Sequence, residues 1–294
     1  MQYTLLRKQT IQDAGHDVVN PLPRKKYLPV FIGAAAAIVV FVLLFVTGVL
    51  KVGQLSNITA LLAVIIAVVL WVQMYRSKLV TDVERSRLVG FIPMFVASVA
   101  FWSLFQQQFT VIAVYSDERL NRNLFGMEIP PGVVQSINPL FIILFAAVFG
   151  AMWTKLGDKQ PSYAAKFSMA LVVIGGALLL FLPFAGGGAN STPMWAMVLI
   201  LFLFTMGELM LSPVGNSMAT RLAPKAFPTR MFGLWLLSIS LGTSLSGSLA
   251  AFYNPEDASA ERTYFIAMFA VMVGLGAVMF LARKWILKLF VDIH

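Results

Sequence analysis

Cysteine is absent from this 294-residue chain, which excludes disulfides, thiol catalysis and cysteine-based metal sites. Histidine is nearly absent: only His16 and the terminal His294 occur. Neither sits in an apolar stretch, so no histidine metal site or histidine proton relay is available inside one. Charge is the third scarcity. Charged residues make up 12% of the chain, against about 25% in soluble domains. There is no phosphate-cradling glycine loop, no pair of carboxylates and no nucleophile–base pair. The chain is therefore not read as an enzyme, and no cofactor or metal is expected. Lys and Arg outnumber Asp and Glu by 22 to 13, a net charge of +9. These basic residues are dispersed over connections and not clustered with aromatics, which argues against a nucleic-acid partner.

What is present is apolar. Hydrophobic residues form 59% of the sequence and the mean hydropathy is +0.82, values of an integral, all-α membrane protein. A helical span needs about 20 apolar residues. Eight stretches meet that need, near 28–50, 55–75, 88–114, 133–154, 163–185, 193–220, 229–252 and 263–286. No short apolar core with a small-residue cleavage site precedes the first, so no signal peptide is expected.

Basic residues set the orientation. Of the 22 Lys and Arg, only Lys51, Arg119, Arg122 and Arg262 fall on one side of the eight spans. The rest lie in both termini and the second, fourth and sixth connections, so both termini are expected in the cytoplasm of a multi-pass cell-membrane protein. The first two spans, built from Ala, Val, Ile and Leu, read as a lipid-facing hairpin over 28–76. The polar loop 76–87 then separates it from a six-helix unit over 88–286.

Glu208 is the one acidic residue inside a membrane-length segment. A carboxylate near the middle of a bilayer costs roughly 2.5–3.5 kcal/mol even on the lenient insertion scale. It persists when neutralised, paired or hydrated, conditions that protons or a charged substrate can switch. Glu208 is thus either such a functional group or a neutral acid hydrogen-bonded to a neighbouring helix. Pro213, five residues on, frees the carbonyl of Leu209 and suggests a kink. At 100° per residue Phe204, Glu208, Ser212, Gly215 and Ala219 share one face, mostly small or polar, as where a helix borders a cavity.

Other polar residues are fewer. Gln106, Gln107 and Gln108 precede Thr110 in the third span, where they can bond between helices or face a cavity. Ser136 and Asn138 read locally as helix caps beside Pro139. Trp235 reads as an interfacial belt residue. Gly175, Gly176, Gly242, Gly247, Gly274 and Gly276 read as packing positions. The 186–188 glycines read as a flexible external turn. Residues 127–131 read as an extended stretch whose two prolines bar helix.

Several blocks together resemble a known family. F-W-S-L-F-Q-Q-Q-F-T (101–110), Q-S-I-N-P-L-F (135–141), W-T-K-L-G-D-K-Q-P-S (153–162), G-E-L-M-L-S-P-V-G-N-S-M-A-T-R-L-A-P (207–224) and M-F-G-L-W (231–235) resemble the proton-dependent oligopeptide transporters of the major facilitator superfamily. The resemblance implies that spans three to eight are the C-terminal six-helix bundle, spans one and two the extra pair of bacterial members, and residues 1–27 a cytoplasmic linker. It implies a proton-coupled symporter of di- and tripeptides, with peptide and proton as its small partners. Glu208 takes the place of the family glutamate that recognises the peptide amino terminus and joins proton-linked gating. Asn138 matches a peptide-contacting asparagine, Trp235 a pocket-lining tryptophan that replaces the belt reading, and Ser212 a cavity neighbour. Gln106 stands where many members carry a glutamate. The N-terminal E-x-x-E-R motif and the helix-four lysine have no counterpart. The chain is therefore expected to be half of such a symporter, either truncated from a longer gene or complemented by a separate N-terminal bundle. The alternatives are a non-transporting membrane scaffold that binds another protein or a second copy, or an inactive fragment.

Overall fold

A computed structural model describes residues 23–291, apart from 49, 52, 53 and 125, together with residue 293. Most of the expected cytoplasmic linker, with His16, lies outside these residues, as does His294. In chain order the helices are α1 (Tyr27–Val46), α2 (Leu55–Arg76), α3 (Asp82–Phe105), α4 (Val111–Glu118), α5 (Pro131–Val134), α6 (Ile137–Leu156), α7 (Tyr163–Leu178), α8 (Met194–Arg221), α9 (Pro228–Ala250) and α10 (Ala258–Phe290). Among the described residues, eight helical spans are long and apolar enough to cross a membrane, as the hydropathy pattern predicts.

Helix ends outrun the apolar runs because local chemistry caps them. Thr81 Oγ1 accepts from the Glu84 amide at 3.3 Å, and Glu84 Oε2 accepts from the Thr81 amide at 2.8 Å. This capping box satisfies two otherwise orphaned N–H groups and starts α3 at Asp82, six residues before the apolar run expected from 88. Asp257 Oδ1 caps α10 through the amides of Ser259 and Ala260 at 2.8 and 3.2 Å. At the other end of α10, Arg87 donates to the carbonyls of Phe290 and Val291, each at 3.0 Å. A guanidinium on free carbonyls suits the negative end of a helix.

The third span is not one helix. A 3₁₀ turn over Gln106–Phe109 separates α3 from α4, although no proline or glycine marks the place. Thr110, at φ −121° and ψ −90°, carries the change of direction. By contrast α8 runs through Pro213 as continuous helix. The 127–131 segment also departs from expectation. Asn123–Leu124 and Met127–Glu128 pair as a small antiparallel hairpin, but Pro131 then opens α5. Proline suits the first helical turn, where its missing N–H would have had no partner.

In the six-helix unit, α7 lies between α3, α8 and α10. Close approach of α7 and α10 relies on Gly175 and Gly276: a Cβ on these would meet Met272 Cβ at 2.8 Å and Val172 Cγ2 at 2.9 Å. Gly176 and Gly274 have nothing within 4 Å, so the packing expectation fails for those two. The 186–188 turn is fastened, for the Gly186 amide donates to Glu261 Oε2 at 2.8 Å. The two helices of the expected hairpin behave differently. No described residue of α1 is buried, whereas α2 packs Ala60, Ala63 and Ala67 towards α9. The first turns of α2 add hydrogen bonds, between the Thr59 and Ser244 hydroxyls (2.9 Å) and from Ser248 to Asn57 (2.8 Å).

Candidate functional site

The site grows from α8, whose G-E-L run places Glu208 half-buried among apolar neighbours. Its Oε2 is buried and has no hydrogen-bond partner among the described residues. An unsatisfied buried oxygen of this kind is costly and therefore informative. Asn138, the one buried residue of α6, sits beside this carboxyl. Its Nδ2 donates to Thr205 Oγ1 at 2.9 Å, and Thr205 in turn donates to the Leu201 carbonyl at 2.9 Å. Asn138 thus bridges two helices. Ser136, the residue before α6, makes no side-chain cap, so the capping reading of this pair gives way to an interhelical one.

Ser212, one turn beyond Glu208, is half-buried. Further along α8 the same face turns inward, since Gly215 receives the indole of Trp235 from α9 and a methyl there would overlap the ring. Trp235 is 0% exposed, with its ring centroid 6.1 Å from that of Phe167. Its Nε1 donates to Asn216 Oδ1 at 2.7 Å. An interfacial belt residue would leave its indole at the surface; this one is locked between helices, presenting Asn216 outward.

The glutamines bond elsewhere. Gln106 Nε2 donates to Thr243 Oγ1 at 3.2 Å and Gln107 Nε2 to the Ser246 carbonyl at 3.2 Å, while Gln107 Oε1 accepts from Thr110 at 3.0 Å. Both therefore reach α9 and stitch the 3₁₀ break to it. Gln108 Oε1 is buried without a partner among the described residues.

The structure thus gathers Glu208, Asn138 and Ser212, attaches Trp235 to the same helix two turns away, and gives Gln106 and Gln107 partners on α9. Sequence reasoning missed Thr205 and Asn216. Thr205 lies three residues before Glu208, a spacing that shares a helix face. Asn216 stood inside the 207–224 block without being singled out.

Chemically the arrangement offers one carboxyl with a free acceptor oxygen, a neighbouring amide and a hydroxyl one turn away. It can receive a proton or an ammonium group. Comparisons with known proteins bear on this. A family model, PTR2, described as the POT family, matches residues 46–266. The chain is similar to the uncharacterized transporter YclF of Bacillus subtilis, 34% identical over 281 residues that cover 95% of this chain and 56% of that protein. It is also 32% identical to a di-/tripeptide transporter of Lactococcus lactis subsp. cremoris, over 81% of this chain and 48% of that one. A solved peptide transporter POT in complex with sulfate superposes with a TM-score of 0.81 at 36% identity, covering 96% of this chain and 58% of its own. A POT family transporter in complex with a thioalcohol-conjugated peptide gives 0.81 at 34% identity, covering 97% and 60%. The chain spans about half the length of the curated relatives it matches.

Proposed function

The chain belongs to the POT family, and from that premise we propose that it supplies the C-terminal six-helix bundle of a proton-coupled di-/tripeptide transporter. In this reading residues 88–286 form the bundle, 28–76 the accessory hairpin and 1–27 a cytoplasmic linker. Glu208 holds either a proton or the ammonium group of a peptide, Asn138 and Ser212 bind beside it, and Trp235 with Asn216 closes the inner end of the pocket. Gln106 and Gln107 support the broken third span next to that pocket.

The observation that carries the proposal is the free, buried Oε2 of Glu208 next to the Asn138 amide. A carboxylate at that depth is unfavourable unless neutralised, and protonation or an arriving ammonium each neutralises it. The two states exclude each other on one oxygen pair, which couples the proton to the peptide. The basic residues of the second, fourth and sixth connections support an orientation with both termini in the cytoplasm of the cell membrane. Transport in this reading requires an N-terminal bundle, on the same polypeptide or a separate one, since alternating access works by rocking one repeat against another around a midplane site.

Gradient-driven dipeptide uptake tests this in proteoliposomes containing the two-bundle transporter. Glu208→Gln should abolish accumulation driven by an inward proton gradient. Full accumulation by that variant would remove Glu208 from the coupling step.

A further inference from the structure

A cavity of about 200 Å³ lies between α2, α3 and α9, away from Glu208, lined by Ala67, Val68, Trp71, Phe91, Ile92, Phe95 and Leu234. Every lining side chain is aliphatic or aromatic. The one polar atom among them, Trp71 Nε1, already donates to the Leu88 carbonyl at 3.1 Å. Water needs two to four polar partners to occupy such a space, and an apolar cavity of roughly 150 Å³ stays dry but takes up benzene. A peptide would find no donor or acceptor here. An empty void forfeits the dispersion contacts of its lining. Val68 and Ile92 are 55% and 42% exposed, so the cavity opens at the surface of the helical spans.

Charge one turn away selects the lipid. Arg230 precedes Leu234 by four residues, on the same face of α9. Its Nη1 donates to Gln73 Oε1 at 3.3 Å, and Gln73 lies two residues past Trp71 on α2. Arg76 follows Gln73 by three residues, a spacing that puts the two on neighbouring positions of one α2 face. Both arginines are exposed. Neither has an ion-pair partner among the described residues, whereas nearby Arg85 is paired with Asp82. Trp71 stacks on Tyr75 with centroids 4.9 Å apart, giving the aromatic edge usual at headgroup depth.

We propose that this cleft is a binding site for one anionic glycerophospholipid, with an acyl chain in the cavity and its phosphate at Arg230 and Arg76. The lipid fastens α2 to the bundle where apolar packing alone leaves a gap. The inference is independent of the transport reading, since none of these residues belongs to the Glu208 site.

Native mass spectrometry of the purified full-length protein tests it, after incubation with equal amounts of dioleoyl phosphatidylglycerol and dioleoyl phosphatidylcholine. The expected result is one retained phosphatidylglycerol, favoured about fivefold or more, the effect of an interfacial basic residue. Arg230→Gln should bring the two lipids towards equality, and Ile92→Trp, which fills the mouth, should lower retention of both. Arg230 is exposed, so its variant keeps the test usable if Ile92→Trp fails to fold. Equal retention of the two lipids by the unaltered protein would overturn the proposal. So would a phosphatidylglycerol preference unchanged by Arg230→Gln.

Discussion

Arg119 and Glu261 form an ion pair whose side chains are 7% and 0% exposed. The pair gathers three connections at one end of the bundle. Arg119, just past α4, also donates to the Pro255 carbonyl. The Glu261 carboxylate accepts from the Gly186 amide at 2.8 Å and the Tyr253 hydroxyl at 2.9 Å. Burial, and then the charge of Glu261, push the Tyr253 hydroxyl above its usual titration range, so it remains a donor at any physiological pH. Both oxygens of the buried carboxylate are thus hydrogen-bonded, Oε2 by Arg119 and Gly186 and Oε1 by Tyr253.

Removing one partner leaves the other charge buried and alone, a loss of about 3–5 kcal/mol. Glu261→Ala and Arg119→Met should each lower the thermal midpoint of the purified protein sharply. The double variant Arg119→Met/Glu261→Met should regain part of that loss, because an apolar pair of similar volume carries no unpaired charge. Midpoints that fall additively in the double variant would show that the two side chains act independently.

Gly215→Ala tests the seat of Trp235. The added methyl has no room beside the indole, and overpacking of this kind costs about 1–3 kcal/mol. Thermal unfolding should show that loss, and Trp235→Leu in the same background should recover part of it. A fully stable Gly215→Ala protein would mean that α8 and α9 are free to separate.

Asn138→Leu separates binding from folding. One interhelical bond to Thr205 is lost, worth about 0.6–2 kcal/mol, while Thr205 keeps its bond to Leu201. The thermal midpoint should therefore move little. Dipeptide affinity should fall about tenfold or more, as expected for a hydrogen bond to a charged group. Equal affinity in the variant and the parent would reduce Asn138 to a packing role.

Topology can be read directly because the chain has no cysteine of its own. Lys78→Cys and Ala189→Cys place single thiols at exposed positions in the second and fifth connections. A membrane-impermeant maleimide applied to intact cells should label Ala189→Cys, and Lys78→Cys only after permeabilisation. The opposite pattern would invert the orientation inferred from the basic residues.

Sequence alone determined the membrane class, the eight spans and the family, because each rests on local information. Apolar run length reports on the bilayer, and the 207–224 block is contiguous in the chain. Glu208 stood out for the same reason, as a lone carboxyl in an apolar run. What depended on distant contacts was illegible. Glu261 sits at the polar start of its helix and looked like an ordinary loop acid, yet Arg119, 142 residues away, makes it a buried ion. Trp235 looked like a surface belt by its local position, and the family resemblance that replaced this reading did not reveal that Gly215 on another helix receives it. The break in the third span carries no local breaker; Gln107 holds it through a carbonyl on α9. Gly274 and Gly276 look alike in sequence, and only Gly276 meets a neighbour. A residue's type sets what it can bond to or exclude, but only the packing of helices decides which partner arrives.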